Sequence, residues 1–203
     1  MCMHKKIDQI KDIYKAFETE AAAYKENAAC RKGCAYCCTD AGSIDITTLE
    51  GMVILEKIRS LPRPQQVKVN KALAGDLKKK EKGQRSACPF LMKNKACMIY
   101  EIRPFSCRRI YSVHVCNQDN PPMLSRKVIK MAEKTIEELQ ILDDTGYSGH
   151  ISYIMHMLKA PKFLSTYLTG EHKPEEVMAF GKTHNIVINL NVSDSLKNKE
   201  VVK

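Results

Sequence analysis

Four cysteines, Cys30, Cys34, Cys37 and Cys38, stand in the nine residues "CRKGCAYCC" at 30–38. Cys88, Cys97, Cys107 and Cys116 follow at wide, near-even intervals, and Cys2 stands apart. Thiolates are soft ligands, and an all-thiolate tetrahedral set suits zinc or an iron–sulfur cluster. Cys34 and Cys37 form a C-x-x-C knuckle, a spacing at which a tight turn brings two sulfurs to one ion. A local segment rarely completes a tetrahedron, so ligands from Cys88 onward would pin a distant loop to the knuckle. Cys37 and Cys38 are adjacent, and their side chains are expected to diverge. They would then serve two nearby centres or two irons of one cluster, or one would ligate while the other packs.

The competing reading is a buried stripe, since positions 30, 34, 37 and 38 share one face of an α-helix and free cysteine packs as a small hydrophobe. Lys32 and Gly33 do not suit a packed helix. The second group has no helical or strand period and sits among turn residues, in Cys88-Pro89, "KNKAC" and "RPFSC". A disulfide framework fits poorly with an odd count of nine cysteines and with a first segment that lacks a secretory apolar core. The expected location is the cytoplasm, with no membrane span, where clustered thiols bind metal or do redox chemistry.

Arg103, Arg108 and Arg109 flank Cys107. Guanidinium groups offset a thiolate-rich centre through charge-assisted hydrogen bonds, and Arg103 and Arg108 are the expected donors around it. His114 is the lone histidine of the second group, an alternative ligand or a hydrogen-bonded surface residue. The cysteine spacing does not repeat as the matched knuckles of a zinc ribbon do, which favours iron–sulfur over zinc. The formal charge is +10; two four-thiolate centres at about −2 each would lower it to roughly +6. The basic residues are scattered, in "KKKEK" at 78–82, "CRR" at 107–109 and the tail, which argues against a dedicated nucleic-acid surface.

The elements that must position these thiols read as helices. Ile7, Ile10, Tyr14, Phe17, Ala21 and Tyr24 mark an amphipathic helix over 5–27. "SIDIT" is extended and leads to a helix ending near Ser60, with Thr47 and Glu50 as its capping box. Pro64 opens a third helix with Val67, Leu73 and Leu77 on one side. Further helices are expected over 125–142, 149–159 (after which Pro161 interrupts the chain) and 174–180, with a strand in "NIVINLNV". The fold class is mainly α, with helices packed around an irregular cysteine-rich metal-binding core and minor short strands. Four stretches follow: an N-terminal helix (1–27), the cysteine domain (28–118), a helical extension (119–192) and a disordered polar tail (193–203).

"CRKGCAYCC", followed by "ITTLEGMVI" and "CPFLMKNKACMIYEIRPFSCRRI", resembles the YkgJ-type cysteine-cluster (CxxCxxCC) family of zinc- or iron-chelating domains. The resemblance covers roughly residues 28–118 and implies Cys34, Cys37, Cys38, Cys88, Cys97 and Cys107 as first-choice ligands. Cys30 matches the leading cysteine with one extra residue before Cys34, and Cys116 matches a later cysteine of some members. The family names no reaction. Flagellin lysine methylases carry similar cysteine segments, so a protein lysine methylase-like enzyme is one alternative. No G-x-G-x-x-G loop, P-loop, serine-hydrolase elbow or H-E-x-x-H is present. The leading expectation is a cysteine-ligated metal protein, iron–sulfur before zinc, with a redox or protein-modification role and an unidentified protein partner or substrate. The other alternative is a zinc-stabilised interaction or nucleic-acid-binding module.

Overall fold

A computed structural model of the chain describes residues 3–30, 33–39, 43–170, 179 and 187–189. The described part is mainly helical, with a small antiparallel sheet. Its elements are α1 (Met3–Glu20), α2 (Ala22–Lys25), α3 (Tyr36–Thr39), β1 (Asp45–Thr47), α4 (Thr48–Ser60), α5 (Arg63–Glu81), a 3₁₀ turn (Tyr100–Ile102) and α6 (Phe105–Arg108). α7 (Arg126–Leu142), β2 (Tyr147–His150), α8 (Ile151–Lys159), α9 (Pro161–Thr169) and β3 (Val187–Ile188) follow.

The first helix breaks at Ala21, which is fully buried, so the expected 5–27 helix becomes α1 and a short α2. The capping box at α4 is complete. The Thr47 hydroxyl accepts from Glu50 N–H, and the Glu50 carboxylate accepts from Thr47 N–H at 2.8 Å. Thr47 also ends β1, so one residue closes the strand and starts the helix. Pro64 lies in the first turn of α5, where its missing N–H costs nothing.

Two helical expectations are corrected. α5 buries Val69, Leu73 and Asp76, while Val67 is exposed. The buried stripe therefore follows the 69, 73, 76 spacing and leaves Val67 off it. Pro161 opens α9 rather than interrupting the chain, because the first helical position tolerates proline. β2 is an element the sequence pattern did not signal; it pairs Ile46 with Gly149 and Thr47 with Ser148. β3 pairs with β2 through Val187 and Ile188, within the expected strand. The rest of that strand, the 174–180 helix except Ala179 and the 193–203 tail lie outside the described residues.

α4 stands between two apolar clusters. Ile54, Leu55 and Ile58 join Val69, Leu73, Phe90, Ile99, Ile154 and Leu158 on one side. Leu49 joins Ile10, Phe17, Phe105, Val128 and Leu139 on the other. Gly51 lets α4 approach α8, since a Cβ there would stand 2.7 Å from Leu158 Cδ1 and 2.8 Å from Ile154 Cγ2. Cys88, Cys97 and Cys107 pack partly buried against the first cluster, which seats the irregular cysteine segments on a rigid base.

Candidate metal centre

Each cysteine segment is fixed by backbone hydrogen bonds. Cys37 and Cys38 lie on the single turn of α3, and Cys88 N–H donates to Cys38 C=O at 2.7 Å. This bond joins the two segments directly. Cys88 and Cys97 flank a tight hairpin in which Met92 N–H bonds Ala96 C=O and Met98 N–H bonds Phe90 C=O, both at 2.9 Å. Lys95 turns it with φ 61°. Cys107 sits on α6, whose first N–H, Phe105, donates to Glu50 Oε1 at 2.8 Å. Glu50 also accepts the Tyr14 hydroxyl, so one buried carboxylate ties α1, α4 and the Cys107 turn together. The capping pattern signals its first role in the sequence but not the other two.

Cys30, Cys34, Cys37, Cys38, Cys88, Cys97 and Cys107 all line one cavity of about 1280 Å³. Cys116 lies outside that lining but close enough to Cys30 for a thiolate there to be felt. Its sulfur sits 3.8 Å from His114 C=O. None of these eight thiols is in a disulfide. Among the described residues no three His, Cys, Asp or Glu side chains are gathered at the spacing of one ion's ligands. The sulfurs share a cavity rather than a point. His114 Nε2 lies 3.3 Å from Asn120 C=O and 3.2 Å from Pro121 C=O, so this ring organises the 114–121 loop.

The adjacent pair does not diverge as expected. The Cys38 thiol hydrogen-bonds the Cys37 sulfur, and that bond is the main reason the Cys37 pKa falls to about 6. Burial opposes the fall, while the Cys37 N–H and Arg103 assist it. The same bond raises Cys38, followed by burial and by the charges of Cys37, Cys88 and Cys107. The single turn of α3 swings both side chains toward the cavity, which a period-based reading of neighbours misses. Burial pushes Cys88 up to about 12 and raises Cys107 further, with neighbouring thiolates adding to both. Phe90 N–H and Ile99 N–H, each two residues on from a cysteine, donate to Cys88 and Cys97 and favour the ionised form. Burial still leaves Cys97 raised.

Arg103 and Arg108 divide their work. Arg103 stacks over the Tyr100 ring at 4.3 Å, and its charge favours the thiolates of Cys37, Cys97 and Cys107. Arg108 donates to Glu18 at 2.7 Å and to the carbonyls of Arg103 and Glu101 at 2.8 and 2.7 Å. It also covers the Tyr14 ring at 4.6 Å, so it clamps α1 to the Cys107 turn. Arg109 joins Arg103 on the cavity wall, and the Nε of each is buried without a hydrogen-bond partner.

Thiol donors, cationic walls and these two orphaned donors fit an anionic thiolate-ligated metal group. Burial and mutual repulsion favour the protonated form of Cys30, Cys38, Cys88, Cys97 and Cys107, and a bound cation would oppose both effects. The fold thus carries one cavity lined by seven thiols and by Arg103, Arg108 and Arg109.

No curated protein and no solved structure matches the chain. A family model, CxxCxxCC, described as "Putative zinc- or iron-chelating domain", matches residues 29–141. The match takes in both cysteine segments and continues through α7. Across more than half of its length, then, this chain belongs to the CxxCxxCC family.

Proposed function

We propose that the protein is an iron–sulfur protein whose cluster chemistry serves a redox or protein-modification role. The observation that carries this reading is a cavity of about 1280 Å³ that seven cysteines from two remote segments line together. Cys34, Cys37, Cys38, Cys88, Cys97 and Cys107 would hold the metal, with Cys30 and Cys116 at the outer end. A cluster bound there supplies one-electron transfer or a Lewis-acidic iron. The chain's own contribution is electrostatic. Arg103, together with the N–H groups of Phe90 and Ile99, favours thiolates, while Phe90 and Ile99 also wall the centre with apolar surface.

A structural zinc site is the second reading, favoured by the packing of Cys88, Cys97 and Cys107 against the larger apolar cluster. There a metal would staple the hairpin to the helical core.

Purification of the full chain without oxygen, followed by visible absorption and assays for iron, zinc and acid-labile sulfide, separates the two. Brown protein with sulfide is the expected result. Colourless protein with stoichiometric zinc transfers the assignment to the staple, and metal-free protein overturns both.

A further inference from the structure

We propose that a second cavity, walled by Arg109, His150 and Tyr153, binds a small organic carboxylate. The proposal does not depend on the metal reading, because none of the described cysteines lines this cavity.

The cavity has a volume of about 530 Å³, the size of a small-molecule site. Residues of the sheet, α6, α7 and the start of α8 line it. The β1–β2 register sets His150 opposite Asp45. The Ser106 hydroxyl donates to Asp45 C=O at 2.5 Å, which holds α6 beside β1. Arg109, the cap at the end of α6, is thereby brought to the cavity wall. Tyr153 follows His150 in the first turn of α8. Ser43, Ser106 and Arg109 line the cysteine cavity as well, so the two cavities adjoin.

The partners of the charged groups point to the ligand. Arg109 and Lys80 stand in the wall with Asp45 and Glu50. Both acids are engaged. Asp45 accepts the Ser43 hydroxyl at 2.6 Å. Glu50 accepts from Thr47 N–H, Phe105 N–H and the Tyr14 hydroxyl. The Arg109 Nε, in contrast, is buried without a partner, and no described carboxylate pairs with the guanidinium. The Tyr153 hydroxyl also has no partner among the described residues. His150 adds a third donor. Its Nδ1 accepts from Ser152 N–H at 3.3 Å, so the neutral ring carries its proton on Nε2. Burial favours that neutral ring, against the charge of Asp76, which lies 3.8 Å from Nδ1.

Unengaged donors beside engaged acids call for an anion. Walls so nearly balanced in charge suit a single negative charge rather than a doubly charged phosphate. The backbone cradle that a phosphate uses at a helix start is also closed here. Ile151 N–H bonds Ile44 C=O at 2.8 Å, and Ser152 N–H is taken by His150. Ile46, Phe105, Ile136 and Leu139 give the cavity an apolar side, which fits a carboxylate with a hydrocarbon body. A guanidinium presents a fork of N–H donors that matches a carboxylate, with donors to spare for the thiolate-rich cavity next door.

The test is fluorine NMR titration of the full chain, purified without oxygen, with para-fluorobenzoate and with its neutral analogue para-fluorobenzamide. Wild type is expected to bind the acid with a Kd on the order of 1 mM or tighter, and the amide at least about tenfold more weakly. Arg109→Gln should weaken the acid at least about tenfold. Tyr153→Phe should weaken it about threefold to tenfold, with metal content of the same samples unchanged. Absence of saturable binding to wild type overturns the proposal, as does equal affinity for acid and amide. Unchanged affinity in Tyr153→Phe also overturns it, because Tyr153 lines this cavity and not that of the thiols. Inorganic phosphate that displaces the acid at a lower concentration than acetate does overturns the carboxylate assignment. Should Arg109→Gln fail to fold, the amide comparison and Tyr153→Phe still decide. Every failure named here leaves the metal assignment standing, since that rests on metal and sulfide content.

Discussion

At the residue scale the Cys37–Cys38 contact sets reactivity. In metal-free protein at pH 7, Cys37 is a thiolate with a pKa of about 6, held chiefly by the neighbouring thiol. The half-buried Cys88 and Cys107 stay protonated. Iodoacetamide labelling read by mass spectrometry is therefore expected to modify Cys37 first, with the rate falling as pH drops through about 6. Cys38→Ala removes the donor and should shift that midpoint upward, whereas Cys38→Ser retains a hydroxyl donor and should shift it less. Gly33 stands at φ +92°, and Gly33→Ala is expected to leave helix content unchanged but to strain the turn by about 1–2 kcal/mol. The readout is weaker retention of metal under chelator challenge. Cysteine identity and grouping were legible in the sequence because chelation needs sulfur in quantity. The Cys37–Cys38 contact was not, since neighbouring side chains diverge in extended chain and only the short α3 turn brings them together.

At the scale of elements, Glu50 links the helix frame to the thiols. Its carboxylate serves the α4 cap, Tyr14 and the first N–H of α6. Glu50→Ala leaves buried donors without partners, at a cost of about 2–4 kcal/mol. Urea denaturation should show that loss, and the freed Cys107 turn should lower metal content in the folded fraction. Gly51→Ala is expected to cost about 1–3 kcal/mol by overpacking α4 against α8, visible as a lower melting temperature with metal stoichiometry unchanged. Helix boundaries followed capping and proline chemistry, so α4 and α5 were legible from Thr47 and Pro64, and α7 matches the helix expected over 125–142. β2 was hidden because "YSGH" has little β character of its own. Its conformation comes from pairing with Ile46 and Thr47, a contact remote in the chain.

For the whole molecule, the buried Asp143 makes stability depend on pH. It accepts from Leu49 N–H at 2.9 Å and from Tyr167 at 2.7 Å, yet burial pushes its carboxyl up to about 7. Tyr167, Leu49 and Lys6 pull it down, and Glu50 pushes it up. The folded state thus favours the protonated acid. This contribution is complete below about pH 4 and is lost as pH rises through about 7, with a slope of at most about 1.4 kcal/mol per pH unit. Chemical denaturation between pH 4.5 and 8 should show the decline in wild type and a flatter profile in Asp143→Asn. The overall character, helices around an irregular sulfur-rich segment, followed from composition and period. The division of the core by α4 did not, because Leu49 and Ile54 look alike in sequence and only packing sends them to different clusters.

The hydrogen bond from Cys88 to Cys38 spans the whole of α4 and α5. On the ribosome, the early thiols emerge well before their partners are synthesised. Until the second segment is released, they are loose nucleophiles on an unfinished chain, open to oxidation or to capture by the wrong cation. Joining of the two thiol segments is therefore a late event, possible only once the hairpin and α6 have been synthesised.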